Sequence, residues 1–333
     1  MQTNSLDTET GFETINNGYN RTFQSGRLSI GVVAPLESYA VGALPDMKRD
    51  VERVQLAEEL GFAAVWLRDV PFNVPSFGDA GQMYDPFVYL GLLAAQTERI
   101  ALGVASIVLP LRHPAHIAKA AASVDVLSGG RLILGVASGD RPEEYPALNM
   151  SFEDRGERFR ASFEYINRMW DDAPSFENFF GCINSGSQSP VSPEFAIDML
   201  PKPMSGKVPL LITGGSQQDP EWIAANGEGW ITYPRNVEAQ SKIITAWRQR
   251  INDNGDADKP AVQSLYIDLV EDPDAPAEPI HLGFRSGVNH LRHYLTSLEE
   301  IGINHVALNL RFNQADIETT LRRLAKDLIP EFC

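Results

Sequence analysis

Positive charge is scarce in this chain: 28 Lys and Arg stand against 44 Asp and Glu, a formal charge of -16. Binding to nucleic acid or to an anionic membrane depends on clustered basic residues meeting phosphates, so both are excluded as primary partners. Cysteine is scarcer still. Cys182 and Cys333 allow no disulfide framework beyond a single bridge, and neither sits in a metal-ligand or redox spacing. No apolar run approaches the length of a membrane span, and the Walker, G-x-G-x-x-G and H-E-x-x-H patterns are missing. A reducing compartment and a cytoplasmic location are therefore expected. Residues 1–26 are polar and carry neither an apolar core nor an Arg-rich amphipathic pattern, so they read as a flexible N-terminal tail.

What the chain does have is alternation. Apolar strand-like runs begin near residues 28, 62, 100, 131, 208, 229, 261 and 305. Helical patterns follow at about 47–60, 86–97, 114–127, 155–170, 220–226, 237–251, 288–301 and 317–328, with a Pro-rich loop before the seventh of them. With no composition break to mark a linker, the pattern predicts an α/β chain folded as one (β/α)8 TIM barrel over residues 27–333. An insertion is expected after the fourth helix, at about 171–207. A doubly wound open sheet is the competing architecture. Residues 100–140 carry the most information: two strands apolar enough to be buried on both faces, joined by a helix, both run into Ala-Ser. Small residues at strand carboxyl ends leave room for a flat ligand, at the end where such barrels place their chemistry.

Several groups could carry that chemistry. In GGSQQDP, residues 214–220, Gly214 and Gly215 let the backbone approach an anion and Ser216 adds a hydroxyl, which describes either a phosphate cradle or an ordinary Gly-rich turn. GVASGD, residues 135–140, is no nucleophile elbow, because Ala137 stands where the serine belongs; Ser138 reads as a donor to a ligand or as a small packing residue. His113, just before Pro114, could face a ligand, but with His116 it lacks the carboxylates of a metal site, and no metal is expected. Asp69, beside Arg68 at the end of the second strand, is a general acid or base or half of an ion pair. Phe72, Phe77 and Tyr84 would wall an apolar substrate pocket or pin their loop to the barrel.

Taken in order, AEELGFAAVWLRD, RHP with its Ala-rich helix, LSGGRLILGVASG, LLITGGS and GEGWI resemble the luciferase-like monooxygenase family, the flavin-dependent oxidoreductases related to bacterial luciferase. The resemblance spans residues 28–310 and implies the same barrel and insertion. It also implies a flavin lying across the strand ends. Ala105 and Ser106 would back the isoalloxazine across a non-proline cis peptide, with Ala34 also in contact. Ala137, Ser138 and Gly139 would border the ring or ribityl chain, and Gly214, Gly215 and Ser216, with Gly229 and Trp230, would hold the phosphate. Several members carry a catalytic His after the Asp that ends the second strand, where this chain has Val70. That departure leaves Asp69, Arg68 and His113 as candidate catalytic residues and favours FMN over the deazaflavin coenzyme F420. The implied activity is an FMN-dependent monooxygenase that uses reduced flavin and O2 on a small organic substrate. A separate NAD(P)H:flavin reductase and a homodimer are implied as well. The alternatives are an F420-dependent reductase or dehydrogenase, and a flavin-binding protein without turnover.

Overall fold

The structure, a computed structural model, describes residues 11–39, 44–74, 76, 84–172 and 198–332. Ten strands occur among them: β1 (Ser29–Val33), β2 (Ala64–Leu67), β3 (Ala101–Val108), β4 (Leu132–Ala137), β5 (Leu210–Thr213), β6 (Gly229–Thr232), β7 (Ala261–Leu269), β8 (Glu278–Ile280), β9 (Gly283–Ser286) and β10 (His305–Asn309). β1 to β7 pair in parallel in sequence order, and β10 pairs in parallel with both β7 and β1. That last pairing closes an eight-stranded barrel and rules out the open sheet. The helices are α1 (Asn17–Thr22), α2 (Asp50–Glu59), α3 (Pro86–Gln96), α4 (Pro114–Leu127), α5 (Glu144–Ala147), α6 (Arg155–Trp170), α7 (Pro220–Asn226), α8 (Val237–Asn254), α9 (Val288–Glu300) and α10 (Ile317–Asp327). All but α1 and α5 are the eight helices that the pattern predicts. None is long and apolar enough to cross a membrane among the described residues.

Strand residues alternate between two cores, as the twofold period of a strand requires. Val32, Val65, Leu67, Leu102 and Leu134 face the helices. Trp66, Ala101, Ile133, Leu211, Ile231, Val262 and Ala307 fill the barrel. Glycines make room for the two largest interior rings. A Cβ on Gly103 would fall 2.4 Å from the Trp66 ring, and one on Gly31 would fall 2.6 Å from His305 Nε2. Trp66 Nε1 donates to His305 Nε2 at 2.8 Å, so the imidazole proton sits on Nδ1 and faces Ser29 Oγ at 2.7 Å. Ser29 in turn donates to the Thr22 carbonyl. Full burial holds His305 far below the usual imidazole range, down to about 3.

The N-terminal segment departs from expectation. Within the region read as a tail, Ile15, Tyr19 and Phe23 are buried and close the amino-terminal end of the barrel against the interior core. Asn16 caps α1 and donates to the Asp125 carboxylate and the Leu132 carbonyl, while Tyr19 Oη donates to the Glu228 carbonyl. One apolar face and these polar ties explain why a polar-looking stretch is folded; Ile15, Tyr19 and Phe23 recur every fourth residue, a short helical signal diluted by the hydrophilic residues around it.

A second departure lies after β7, where a Pro-rich loop was expected. β8 and β9 form an antiparallel hairpin, and β9 extends the sheet by pairing in parallel with residues 266–269. Of the insertion, residues 171–172 and 198–207 are described; Met204 N–H donates to Asp125 and ties its returning end to α4. Cys182 and Cys333 lie outside the described residues.

Candidate functional site

The inward alternation of each strand, continued to its carboxyl end, brings Arg68, Ala105, Ala137, Thr213 and Tyr233 to the barrel mouth. On one side the surface is small. β3 leaves its ladder with β4 between Val104 and Ile107, the Ala105–Ser106 peptide is cis, and Ser106 Oγ hydrogen-bonds Thr213 Oγ1 across to β5. Next to them, Ser138 is buried and its carbonyl accepts from Tyr145 Oη. Gly139 has φ +77, and a Cβ there would lie 2.7 Å from Val108 Cγ1 and 2.9 Å from Tyr145 Oη. Only glycine fits both the angle and the space.

The loop after β5 lies across this mouth. Gly214, Ser216 and Gln217 all have positive φ (57°, 43° and 58°), which folds the loop tightly back. It is held from behind: Trp230 Nε1 donates to the Gly214 carbonyl at 2.8 Å, and Ser216 Oγ donates to the Thr213 carbonyl at 2.8 Å. Gln218 bridges to α6, donating to the Gly156 carbonyl at 2.9 Å and accepting from Arg160 Nε at 2.9 Å. The face at Gly215 is open, with nothing within 4 Å of an added Cβ, and the Tyr233 ring lies 3.4 Å from the corresponding point on Gly214. Burial first, then the charge of Asp140, raises the Tyr233 phenol, with Arg68 pulling the other way, so these three groups share the mouth. A flat wall of small residues, hydroxyls at Ser106 and Thr213, and an open Gly214–Gly215 backbone suit a planar ligand with an anionic tail.

Other expected site residues have different duties. Asp69 is buried and saturated: Arg112 donates to it twice, at 2.7 and 3.1 Å, and Val108 N–H once, at 3.1 Å. Its ion-pair partner is thus Arg112, not the adjacent Arg68, and Arg112 also reaches Asp85 at 2.8 Å. The carboxylate anchors the end of β3 to β2. His113 caps α4, its Nδ1 accepting from Ala115 N–H at 3.2 Å, and its ring packs on Tyr165 of α6. It stands at the start of the helix that follows β3, held by its cap and by Tyr165. Ala34 is fully buried in the core between barrel and helices, so only its backbone borders the site.

Gly229 starts β6 at the opposite end of the barrel, where a Cβ would meet Leu211 and the Pro260 carbonyl at 3.0 Å. It is a packing glycine. Ser216 keeps its place in the loop but spends its proton on Thr213. Phe72 is exposed, Tyr84 packs on Tyr89 of α3, and Phe77 lies outside the described residues. Among the described residues no group of His, Cys, Asp or Glu is placed to hold a metal. Thr213 and Tyr233 were missed in the sequence, although the alternation running through Leu211 and Ile231 points to both.

The luciferase-like monooxygenase family model matches residues 27–326, nearly the whole chain. The chain belongs to that family. As a luciferase-like protein it is an oxidoreductase. It is 28% identical over 260 residues to an F420-dependent glucose-6-phosphate dehydrogenase of Kineococcus radiotolerans, covering 76% of this chain and 71% of that one. Among solved structures it is similar to the monooxygenase RslO1 from Streptomyces bottropensis, with TM-score 0.73, 19% identity, and 92% of this chain and 100% of that one covered. It is also similar to the oxygenating constituent of 3,6-diketocamphane monooxygenase of Pseudomonas putida in complex with FMN, with TM-score 0.71, 14% identity, and 92% and 99% covered. These luciferase-like relatives include both FMN-dependent monooxygenases and F420-dependent dehydrogenases.

Proposed function

We propose that this luciferase-like protein is an FMN-dependent monooxygenase acting on a small organic substrate. The observation that carries the reading is the placement of the small wall at Ala105, Ser106 and Ala137 and the open Gly214–Gly215 loop on one mouth. Bound there, reduced flavin would supply the activation of O2. The chain's own part is geometric and electrostatic. Ala105 and Ala137 leave room for the ring, Ser106 and Thr213 present hydroxyls to its polar edge, and Ser138 and Gly139 border the ribityl chain. Gly214, Gly215 and the backbone at Ser216 hold the phosphate, with Trp230 and the Gln218–Arg160 bridge fixing that loop from outside. Arg68 and Tyr233 complete the mouth on the substrate side. Val70, in place of the imidazole that several members carry, supports FMN over F420.

The reading includes a separate flavin reductase as the source of reduced FMN, and a cytoplasmic homodimer. α3 exposes Val88 and Leu92 one turn apart, apolar surface of the kind a second copy would cover. Parallel titrations with FMN and with F420, followed by absorption, test the cofactor. FMN is expected to bind and F420 to bind at least tenfold more weakly; the reverse order would establish the dehydrogenase alternative. Oxygen uptake in the presence of reduced FMN and a flavin reductase then separates turnover from mere flavin storage.

A further inference from the structure

The carboxyl end holds a buried acid that the flavin reading leaves without a task. Glu144 opens α5, in the segment after β4, and its side chain is 3% exposed. Arg141 stands 3.7 Å away, too far to donate, and Glu144 Oε1 accepts no hydrogen bond. Three further carboxylates act on it by charge: the buried Asp69 at the end of β2, and the exposed Asp140 and Glu143 of its own segment. Arg112, in the turn after β3, is shared between Asp69 and Asp85, which leaves Arg141 as the cation beside Glu144. A buried carboxyl without a full set of donors favours its protonated form, and nearby negative charge adds to that preference. Burial pushes the Glu144 carboxyl up to about 7; Arg141 opposes the shift and Asp69, Asp140 and Glu143 reinforce it. The acid is also fixed to the mouth, because the next residue, Tyr145, lies against Gly139 and donates to the Ser138 carbonyl.

We propose that Glu144 is the proton store of this site: its carboxylate draws proton from solvent when an anionic flavin enters beside Ala137–Gly139, and releases it when that charge leaves. The inference rests on the flavin reading above. It gives the site a titrating group near neutrality, which Val70 does not. Glu144 acts through the local potential and is a positioning residue.

Calorimetric titration with FMN at pH 7, in buffers of different ionisation enthalpy, counts the protons taken up on binding. Wild-type protein is expected to take up about half a proton more than Glu144→Gln, since a group titrating near the working pH is about half protonated before the anion arrives. Glu144→Asp, which keeps a carboxyl, should retain part of that uptake. Equal uptake in wild type and Glu144→Gln, with FMN bound by both, overturns the proposal and leaves the flavin reading standing. If wild type binds no FMN, the flavin reading fails and the proposal with it. Should Glu144→Gln not fold, carboxyl 13C titration of the ligand-free wild type decides: a Glu144 midpoint near 7 supports the store, and one near the ordinary 4.5 overturns it.

Discussion

The two ends of this barrel solve opposite problems. At the amino-terminal end the buried polar groups are tied together, Thr22 Oγ1 excepted: Trp66, His305, Ser29 and the Thr22 carbonyl form one chain of hydrogen bonds, and Asn16 ties α1 to Asp125 and Leu132. Arg131, buried without a carboxylate, donates to four backbone carbonyls and to Thr97 Oγ1 around the ends of α3 and α4. The carboxyl end instead keeps a left-handed loop, glycines with open or forbidden Cβ positions, and an acid whose oxygen has no donor. A closed, satisfied end supplies rigidity, and the unsatisfied end is where a ligand can still be gained.

Substitutions at the closed end should therefore cost stability and spare binding. Trp66→Ala removes the largest interior ring and leaves the His305 lone pair empty, and should cost about 3–5 kcal/mol in urea unfolding. FMN affinity of the molecules that remain folded should be unchanged. An equal loss of FMN affinity would erase the distinction between the ends.

The pH response should differ in sign. His305 is depressed to about 3, so its stabilisation is present above the unfolded imidazole range and is lost as pH falls from about 6.5 toward 3. Glu144 is raised to about 7, so its stabilisation is present below the unfolded carboxyl range and is lost as pH rises from about 4.5 to 7. Over these windows the contributions are on the order of 5 kcal/mol for His305 and 3 kcal/mol for Glu144. Melting curves against pH should flatten between about pH 4.5 and 7 in Glu144→Gln alone; an unchanged profile there would contradict the buried-acid assignment.

Asp69 sharpens the boundary between the two behaviours, since it lies at the open end but is built like the closed one. Asp69→Asn breaks a buried ion pair whose Arg112 retains Asp85, and should cost about 2 kcal/mol. The pH profile of turnover should keep its shape. A displaced profile would return Asp69 to the candidate acids and bases.

Much of this was legible beforehand, and for identifiable reasons. The barrel could be read because buried parallel strands are near-continuous apolar runs and helices carry a different period, so eight repeats of the pair are hard to produce otherwise. The Gly214 loop and the Ala105 and Ala137 strand ends were legible from small residues at a fixed place in that pattern. What escaped notice depends on partners distant in sequence. Asp69 needs Arg112, 43 residues on, and His305 needs Trp66, 239 residues back. Glu144 gave no signal, because its acidity comes from burial beneath segments that are not its neighbours in the chain. Gly229 misled because a glycine at a strand's first residue and one at its last look alike until strand direction is fixed.

The central claim, that the open end is a flavin phosphate and ring site, is tested most directly by FMN titration of wild type beside Gly215→Asp. An added side chain at Gly215 meets open space, so stability should stay within about 0.5 kcal/mol of wild type. A carboxylate there would face the phosphate, and the predicted result is saturable FMN binding by wild type, weakened at least tenfold in the variant. Equal affinity in both proteins, or no FMN binding by wild type, would contradict the account.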